Sequence, residues 1–217
     1  MGNKFRVKRI TLLICMILVI MVMVTSSTYA YLFYTGSDNS ITGNMGEVDL
    51  ELDVTRVLPV NETVNSILLF QFNELAGNLN NGCIDQDGEF SLCQLYKIRI
   101  KNNTGGVNTR INGSLAFSNE TMPNLSWILL GNDYSSSTTY TTSMLDSDFN
   151  TASSSYNSFV DNYLLKNGEE EIFYILIWVN EIDRVQYDRG TYTGVVRFQD
   201  YNGNGVTAFF GDVESNQ

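Results

Sequence analysis

Strict alternation of apolar and polar residues marks two segments of the chain. VDLELDV (48–54) places aliphatic side chains on one face and acidic side chains on the other. YKIRIK (96–101) alternates in the same way, with basic side chains on its polar face. A period of two residues is typical of a strand that buries one face and exposes the other. Both segments are therefore predicted to be amphipathic β-strands.

Other apolar runs lack this alternation. IFYILIWV (172–179) is apolar on both faces, which predicts a central strand covered on both sides. Shorter runs, separated by Gly, Asn, Asp and Ser clusters, predict five more strands: SILLFQF (66–72), GSLAF (113–117), LSWILL (125–130), YTGVVRF (192–198) and GVTAFF (205–210). About eight strands with turn signals between them predict an all-β fold, an antiparallel β-sandwich.

One short helix and one long loop are expected to interrupt these strands. Apolar side chains recur at helical spacing in one segment, which a Ser-rich stretch precedes and Gly168 follows: Tyr156, Phe159, Val160, Tyr163 and Leu164. The predicted helix covers an edge or an open end of the sandwich. The Ser/Thr-rich segment 132–155 is predicted to be a long surface loop.

The N-terminus has the pattern of an export signal. Four basic residues precede an apolar run of fifteen residues, 10–24, which is short of the roughly 20 that span a bilayer. Thr28 and Ala30 supply small residues for a cut between Ala30 and Tyr31. The alternative is an uncleaved anchor lengthened by 29–34. Either way the rest of the chain is exported, and contact with the membrane is through this segment only.

These boundaries predict three parts: a signal peptide or membrane helix, 1–30; a connector, 31–46; and a β-sandwich domain, 47–217. The chain has 24 acidic and 13 basic residues, and four of the basic ones lie in the leader. Nine then remain against 24 acids, a formal charge of −15 for the exported part. Such a surface repels nucleic acid and anionic lipid, so neither is expected as a partner. The charge favours solubility outside the cell or, alternatively, attraction for cations.

Two of the three cysteines flank a short loop, CIDQDGEFSLC. Because the exported chain meets an oxidising compartment, Cys83 and Cys93 are predicted to form a disulfide; two unpaired thiols are the alternative. The DQDG inside this loop lacks the later oxygen ligands of an EF-hand calcium loop. It is therefore interpreted as a tight hairpin turn, and no metal site is predicted.

The chain contains no histidine. This excludes HExxH zinc sites, Ser-His-Asp and Cys-His nucleophiles, and proton transfer by histidine. Acidic residues are plentiful, but nothing singles out the pair that a glycosidase needs: Asp85, Glu89, Glu169, Glu170, Glu171, Glu181 and Asp183. Trp127 and Trp178 lie in apolar strand patterns and are predicted to be core residues. We therefore expect no enzymatic activity and no cofactor.

The junction TYAYLFYTGSDNSITGNMGEVDLEL (28–52) resembles that of the TasA/camelysin family of exported proteins of Gram-positive bacteria. The matching positions are Ala30, Tyr31 and Phe33 at the cut, Asn39, Ile41, Thr42 and Gly46 in the connector, and Asp49 and Leu50 at the first strand. The segment 83–105 is also similar to the cysteine-flanked loop and following strand of TasA-like proteins. The resemblance implies a jelly-roll-like sandwich and cleavage by a signal peptidase of the SipW type.

The resemblance further implies a secreted subunit of biofilm-matrix fibres at the cell surface. Its partners would be copies of itself and an accessory matrix protein. The freed N-terminus would be donated as a strand to the next subunit, and the apolar side chains expected to take part are Tyr31, Leu32, Phe33, Tyr34 and Ile41. Three alternatives remain open: local packing of 31–45 within one subunit, a surface adhesin or ligand-binding sandwich, and a camelysin-like metalloprotease whose metal would sit on carboxylates alone.

Overall fold

Two antiparallel β-sheets contain most of the residues that the structure describes. The structure is a computed structural model, and it describes residues 40–45, 48–60, 67–118, 122, 124–131, 134–145, 149–180 and 192–211. All of these belong to one unit, Asn39–Gln217. The predicted all-β sandwich with one short α-helix is confirmed. The predicted leader, 1–30, lies outside the described residues.

The described strands follow one another in chain order. They are β1 (Ser40–Met45), β2 (Val48–Leu58), β3 (Leu69–Phe70), β4 (Gln94–Asn102), β5 (Thr109–Ser118), β6 (Leu125–Gly131), β7 (Asn150–Thr151), β8 (Asn157–Leu165), β9 (Glu170–Asn180), β10 (Thr193–Gln199) and β11 (Gly205–Phe210). The helix α1 spans Leu75–Asn80, and two 3-10 turns span Phe72–Glu74 and Thr142–Met144.

The pairing of these strands gives one large and one small sheet. The larger sheet has the order β1-β2-β4-β9-β6-β7, and β3 pairs with β9 in parallel. The smaller sheet has the order β11-β10-β5-β8. Pattern reasoning leaves this order open, because it locates strands without saying which strands pair.

The main core lies between the two sheets. Leu52 of β2, Ile98 of β4 and Ile175 of β9 meet Leu115 and Phe198 of the smaller sheet there, and all five are fully buried. The alternating side chains of β2 and β4 therefore face the sides that were predicted, with the aliphatic ones in the core and the charged ones outside. Trp127 is also in this core, at 2% exposure.

The predicted central strand 172–179 is confirmed as part of β9. β9 lies between β4 and β6, and side chains on both of its faces are buried. Ile175 and Ile177 face the main core, whereas Leu176 and Trp178 face a second apolar cluster on the other side of the sheet. A strand buried on both faces needs no polar alternation, which is why its sequence is continuously apolar.

A third layer forms this second cluster on the outer face of the larger sheet. Leu75 and Leu79 of α1 pack there beside Cys83 and Cys93, which are bonded as predicted. The predicted surface loop also contributes, because Leu145 is buried in the cluster and neighbouring aromatic rings pack against it. The described part of that loop therefore covers the sheet, in addition to connecting strands.

The prediction of a helix around 156–164 is wrong, because this segment forms the strand β8. The pairing of β8 with β5 shows the reason. From Ile111 to Ser114 of β5 the partners run from Tyr163 to Ser158 of β8, so β8 contains two extra residues. Each such bulge shifts the alternation by one position. Strand spacing interrupted in this way imitates the spacing of a helix.

The single α-helix among the described residues lies instead directly after the predicted strand 66–72. Among the described residues of that segment, only Leu69 and Phe70 form a strand, and the chain then continues into a 3-10 turn and α1. Leu75, Ala76 and Leu79 are buried, at a spacing that places them on one helical face. The six-residue helix is too short for this pattern to stand out in the sequence. No helix in the described ranges is long and apolar enough to cross a bilayer.

Candidate functional site

The predicted connector enters the fold as the strand β1. It pairs antiparallel with β2, from Ser40 opposite Asp53 to Met45 opposite Val48. Ile41, one of the predicted assembly residues, lies opposite Leu52. The other predicted cleavage and assembly residues lie outside the described residues: Ala30, Tyr31, Leu32, Phe33 and Tyr34. The described part of the connector is thus a strand that pairs within its own chain.

β2 is the strand to which the connector is added. Its inward side chains Leu50, Leu52 and Val54 are buried in the main core, and its other edge pairs with β4. β11 of the smaller sheet lies against both β1 and β2. The core and β4 therefore fix the position of β2, and its remaining edge pairs with β1.

Beside the connector strand, the outer face of the larger sheet carries an ion-pair network centred on Arg99. The guanidinium of Arg99 donates to a carboxylate oxygen of Glu51. Its Nη1 lies 3.1 Å from Oε2 of Glu170, and its Nε lies 4.0 Å from Oδ2 of Asp53. Asn103 Nδ2 donates to the other oxygen of Glu51 at 3.0 Å. Three neighbouring strands, β2, β4 and β9, are linked in this way.

These contacts shift the ionisation of both partners. The hydrogen bond from Asn103, followed by that from Arg99, lowers the pKa of Glu51. The hydrogen bond to Glu51 raises the pKa of Arg99. The side chains of Arg99 and Glu51 are 25% and 28% exposed, so water screens the pair. Its contribution to stability is on the order of 1 kcal/mol or less.

A polar contact also joins the two sheets. Tyr163 of β8 donates its hydroxyl to Oε2 of Glu171 in β9 at 2.6 Å. This hydrogen bond, with a smaller effect of burial, raises the pKa of Tyr163 to about 12. The phenol therefore remains a donor to the carboxylate at neutral pH.

The strand β8 forms one edge of the smaller sheet, and this edge differs from the β1–β2 edge of the larger sheet. β8 is irregular because of its two bulges, and Asn162 has a positive φ of 50°. Asp161 and Asn162 are exposed on it. Bulges and exposed charges are features that discourage further strand pairing at an edge. Of these two edges, the β1–β2 edge is better suited to accept or donate a strand.

The disulfide loop is closed as a tight turn, as predicted. Asp85 Oδ1 accepts hydrogen bonds from the backbone N–H groups of Glu89 and Phe90, at 2.8 and 3.0 Å. The backbone N–H of Gly88 donates to the carbonyl of Asp85. Asp85 is therefore committed to shaping its own loop.

Three other acidic candidates, Glu169, Glu170 and Glu171, each bind a different partner. Glu169 Oε2 accepts from the backbone N–H of Lys166, Glu170 pairs with Arg99, and Glu171 accepts from Tyr163. Glu181 and Asp183 lie outside the described residues. Among the residues that the structure describes, no three Cys, Asp or Glu side chains are grouped so that they could hold a metal ion.

Sequence reasoning missed a buried polar cluster between the sheets. Oε1 of Gln94 accepts hydrogen bonds from the hydroxyls of Tyr96, at 2.8 Å, and Tyr192. The two hydroxyls lie 3.2 Å apart. Gln94 stands two residues before the inward-facing Tyr96, so extending the alternation of β4 by one step would have placed it in the core.

Comparisons with known proteins add little to this description. No protein-family model matches the chain, and no curated protein matches it. One solved structure that is similar is a family 123 glycoside hydrolase from Clostridium perfringens, studied for glycolipid glycan hydrolysis, with 11% sequence identity and a TM-score of 0.34. The similarity covers 74% of this chain and 26% of that one, so this chain spans about a quarter of its length. No residue role is transferred at this level of similarity.

Proposed function

We propose that the protein is an exported structural subunit of extracellular biofilm-matrix fibres, which assembles by donating its N-terminal strand to a neighbouring copy. The resemblance of the junction to the TasA/camelysin family motivates this proposal. It also suggests a SipW-type signal peptidase and an accessory matrix protein as partners. The subunit would act at the cell surface or in the matrix, with no catalytic role.

The observation that carries the proposal is the pairing of β1 with β2. Residues 40–45 of the connector form a regular six-residue ladder with the edge of β2. The same ladder can form between two copies if β1 of one subunit pairs with β2 of the next. Exchange of an identical element replaces each intramolecular backbone hydrogen bond with an equivalent intermolecular one, so it costs little enthalpy. Head-to-tail exchange extends as a filament when the rotation between successive copies does not close a ring.

The outer face of the larger sheet beside this edge favours growth of the filament in one direction. Glu51, Asp53 and Arg99 make it charged and well paired, which disfavours the stacking of one sheet on another there. The bulged edge at β8 discourages strand addition on the other side. Strand exchange at β2 is then the favoured contact between copies.

Electron microscopy of three purified proteins tests the proposal. The first begins at Tyr31, the second begins at Glu47, and the third begins at Tyr31 and carries Ile41→Pro. Proline cannot donate to a ladder and is poorly tolerated within a paired strand. We expect filaments from the first protein only. Adding a peptide of residues 31–45 to the second protein should occupy the edge of β2 and give monomeric complexes.

Two results would contradict strand donation. Filaments from the protein that begins at Glu47 would show that assembly does not need the connector. Monomers from the protein that begins at Tyr31 would show that β1 remains paired within its own chain, as in the local-packing alternative.

A further inference from the structure

A small groove lies where the end of α1 meets the described part of the Ser/Thr-rich loop. Its cavity volume is ≈ 130 Å³. Leu58 and Leu79 contribute apolar contacts. The remaining side chains that line it are polar or aromatic: Asn80, Tyr134, Ser135, Ser136, Thr138 and Tyr140. The groove is on the outer side of the larger sheet, in the third layer, and is separate from the β1–β2 edge.

Hydrogen bonds hold the two walls of the groove together. Asn80 Nδ2 donates to the carbonyl of Tyr140 at 2.8 Å, and the backbone N–H of Tyr140 donates to Asn80 Oδ1 at 2.8 Å. The backbone N–H of Ser135 donates to the hydroxyl of Tyr140 at 3.3 Å. The loop is therefore fixed against the end of α1 by two hydrogen bonds between one pair of residues, Asn80 and Tyr140. A site that is shaped before its ligand arrives loses less entropy on binding.

The aromatic wall is also ordered by its neighbours. The rings of Tyr134 and Tyr140 are stacked, with centroids 5.9 Å apart and planes inclined by 11°. The ring of Tyr134 also packs at 5.3 Å against Tyr174 of β9. Burial, and to a lesser extent its two tyrosine neighbours, raises the pKa of Tyr134. Its hydroxyl therefore stays neutral and able to donate a hydrogen bond.

The chemistry of the groove indicates its ligand. None of the described residues that line it is charged, although the chain carries a formal net charge of −11. Tyrosine rings offer flat apolar faces, and hydroxyl and amide groups both donate and accept hydrogen bonds. This combination suits a neutral molecule with apolar C–H faces and many hydroxyls. We propose that the groove binds a neutral sugar ring, which packs on a tyrosine and hydrogen bonds to Asn80 and the loop hydroxyls.

The size of the groove limits this ligand to one ring. The cavity volume of ≈ 130 Å³ is smaller than the pockets of several hundred Å³ that enclose larger ligands. A single sugar residue, partly inserted, fits this space, so binding is expected to be weak and to favour terminal sugars.

Saturation-transfer difference NMR, which detects weakly bound small molecules, tests this proposal. The full chain is purified in a detergent whose headgroup contains no sugar. The probes are the methyl glycosides of glucose, galactose and N-acetylglucosamine, with glucuronic acid as the charged counterpart of glucose. We expect saturation transfer to at least one neutral probe, strongest at the ring C–H protons, and weaker transfer to glucuronic acid.

Three variants locate the binding. Tyr134→Ala removes the ring and should weaken binding roughly tenfold, in keeping with the energy of a ring contact. Ser136→Leu places a bulky side chain at an exposed position in the lining and should abolish binding without disturbing buried residues. Tyr201→Ala removes a tyrosine that is 85% exposed in the β10–β11 turn and should leave binding unchanged.

The outcomes either support or overturn the proposal. Loss of the signal in the groove variants, but not in Tyr201→Ala, supports it. If Tyr134→Ala fails to fold, as judged by circular dichroism, Ser136→Leu decides the question. The proposal is overturned by absence of a signal from all three neutral probes, by a signal that persists in Ser136→Leu, or by equally strong binding of glucuronic acid. Filament formation is a separate readout, so the two proposals fail independently.

Discussion

The outer face of the larger sheet has two halves that differ in what covers them. Near the start of β4, Leu95 and Trp178 lie beneath α1, the disulfide and the loop that contains Leu145. Near the end of β4, Arg99 and Glu51 face water in an ion-pair network. The first half is part of the protein interior, whereas the second half is surface.

The two halves are built from the same strands. The outward positions of β4 change from Leu95 to Lys97 and Arg99, and those of β9 change from Trp178 to Glu170. The boundary therefore runs across the strands, at the point where their outward side chains change from apolar to charged. A third layer is stabilised only where it has apolar side chains to cover.

The largest expected effect comes from breaking the covered half. Trp178 is fully buried and packs against Phe72 and Phe149. Trp178→Ala should lower the free energy of unfolding by about 3–5 kcal/mol, because it leaves a cavity. The matched control, Ile172→Ala, lies on the same strand and face but is half-buried in the charged half, and should cost about 1 kcal/mol. Urea denaturation measures both, and equal losses would contradict the distinction between the halves.

An intermediate effect is expected from removing the disulfide. The Cys83→Ser, Cys93→Ser double variant opens a loop with a sequence separation of 10. It should lose about 3 kcal/mol, mainly because the unfolded chain gains freedom. Hydrogen exchange should show faster opening of α1 and the loop, with the centres of β4 and β9 protected as before. Equally faster exchange throughout β4 and β9 would show that the third layer does not unfold separately.

The smallest effect is expected in the charged half. Arg99→Met should reduce stability by at most about 1 kcal/mol at low salt and by less at high salt. Hydrogen bonds from Asn103 and, second, from Arg99 lower the folded-state pKa of Glu51, so the stabilisation that they give is fully present above the ordinary pKa of glutamate. This stabilisation is lost as the pH falls through the lowered pKa. The variant should therefore show a weaker loss of stability in acid.

Lys97→Met is the control for this last prediction, since it removes the same charge from the same face of β4. Thermal unfolding as a function of pH and salt compares the two variants. An identical pH dependence in both would mean that the network around Arg99 has no specific role.

Strands with uninterrupted patterns could be predicted from the sequence. Residues 48–54 of β2, 96–101 of β4 and 172–179 of β9 each follow one rule, so the burial of their faces was predicted correctly. The strand β8 could not be predicted, because its two bulges are visible only once β5 is known to be its partner. Of the predicted assembly segment, only Ile41 lies within the described residues, where it is opposite Leu52.

The groove beside α1 could not have been predicted from the sequence either. Its two walls are some sixty residues apart in the chain, with Asn80 on one and Tyr140 on the other. Neither segment has a recognisable motif of its own. Ser/Thr-rich composition indicated a surface loop, and it gave no sign that the loop would be fixed against a helix.

The sequence by itself determined the all-β class, the faces of the regular strands, the disulfide and the burial of Trp127 and Trp178. These features depend on local alternation, on short loops or on hydrophobic side chains, which are visible in a single segment. The tertiary structure decided which strands pair, where β8 bulges and where the third layer lies. Those features depend on contacts between distant segments, because the position of each side chain is fixed by a partner that its own segment does not specify.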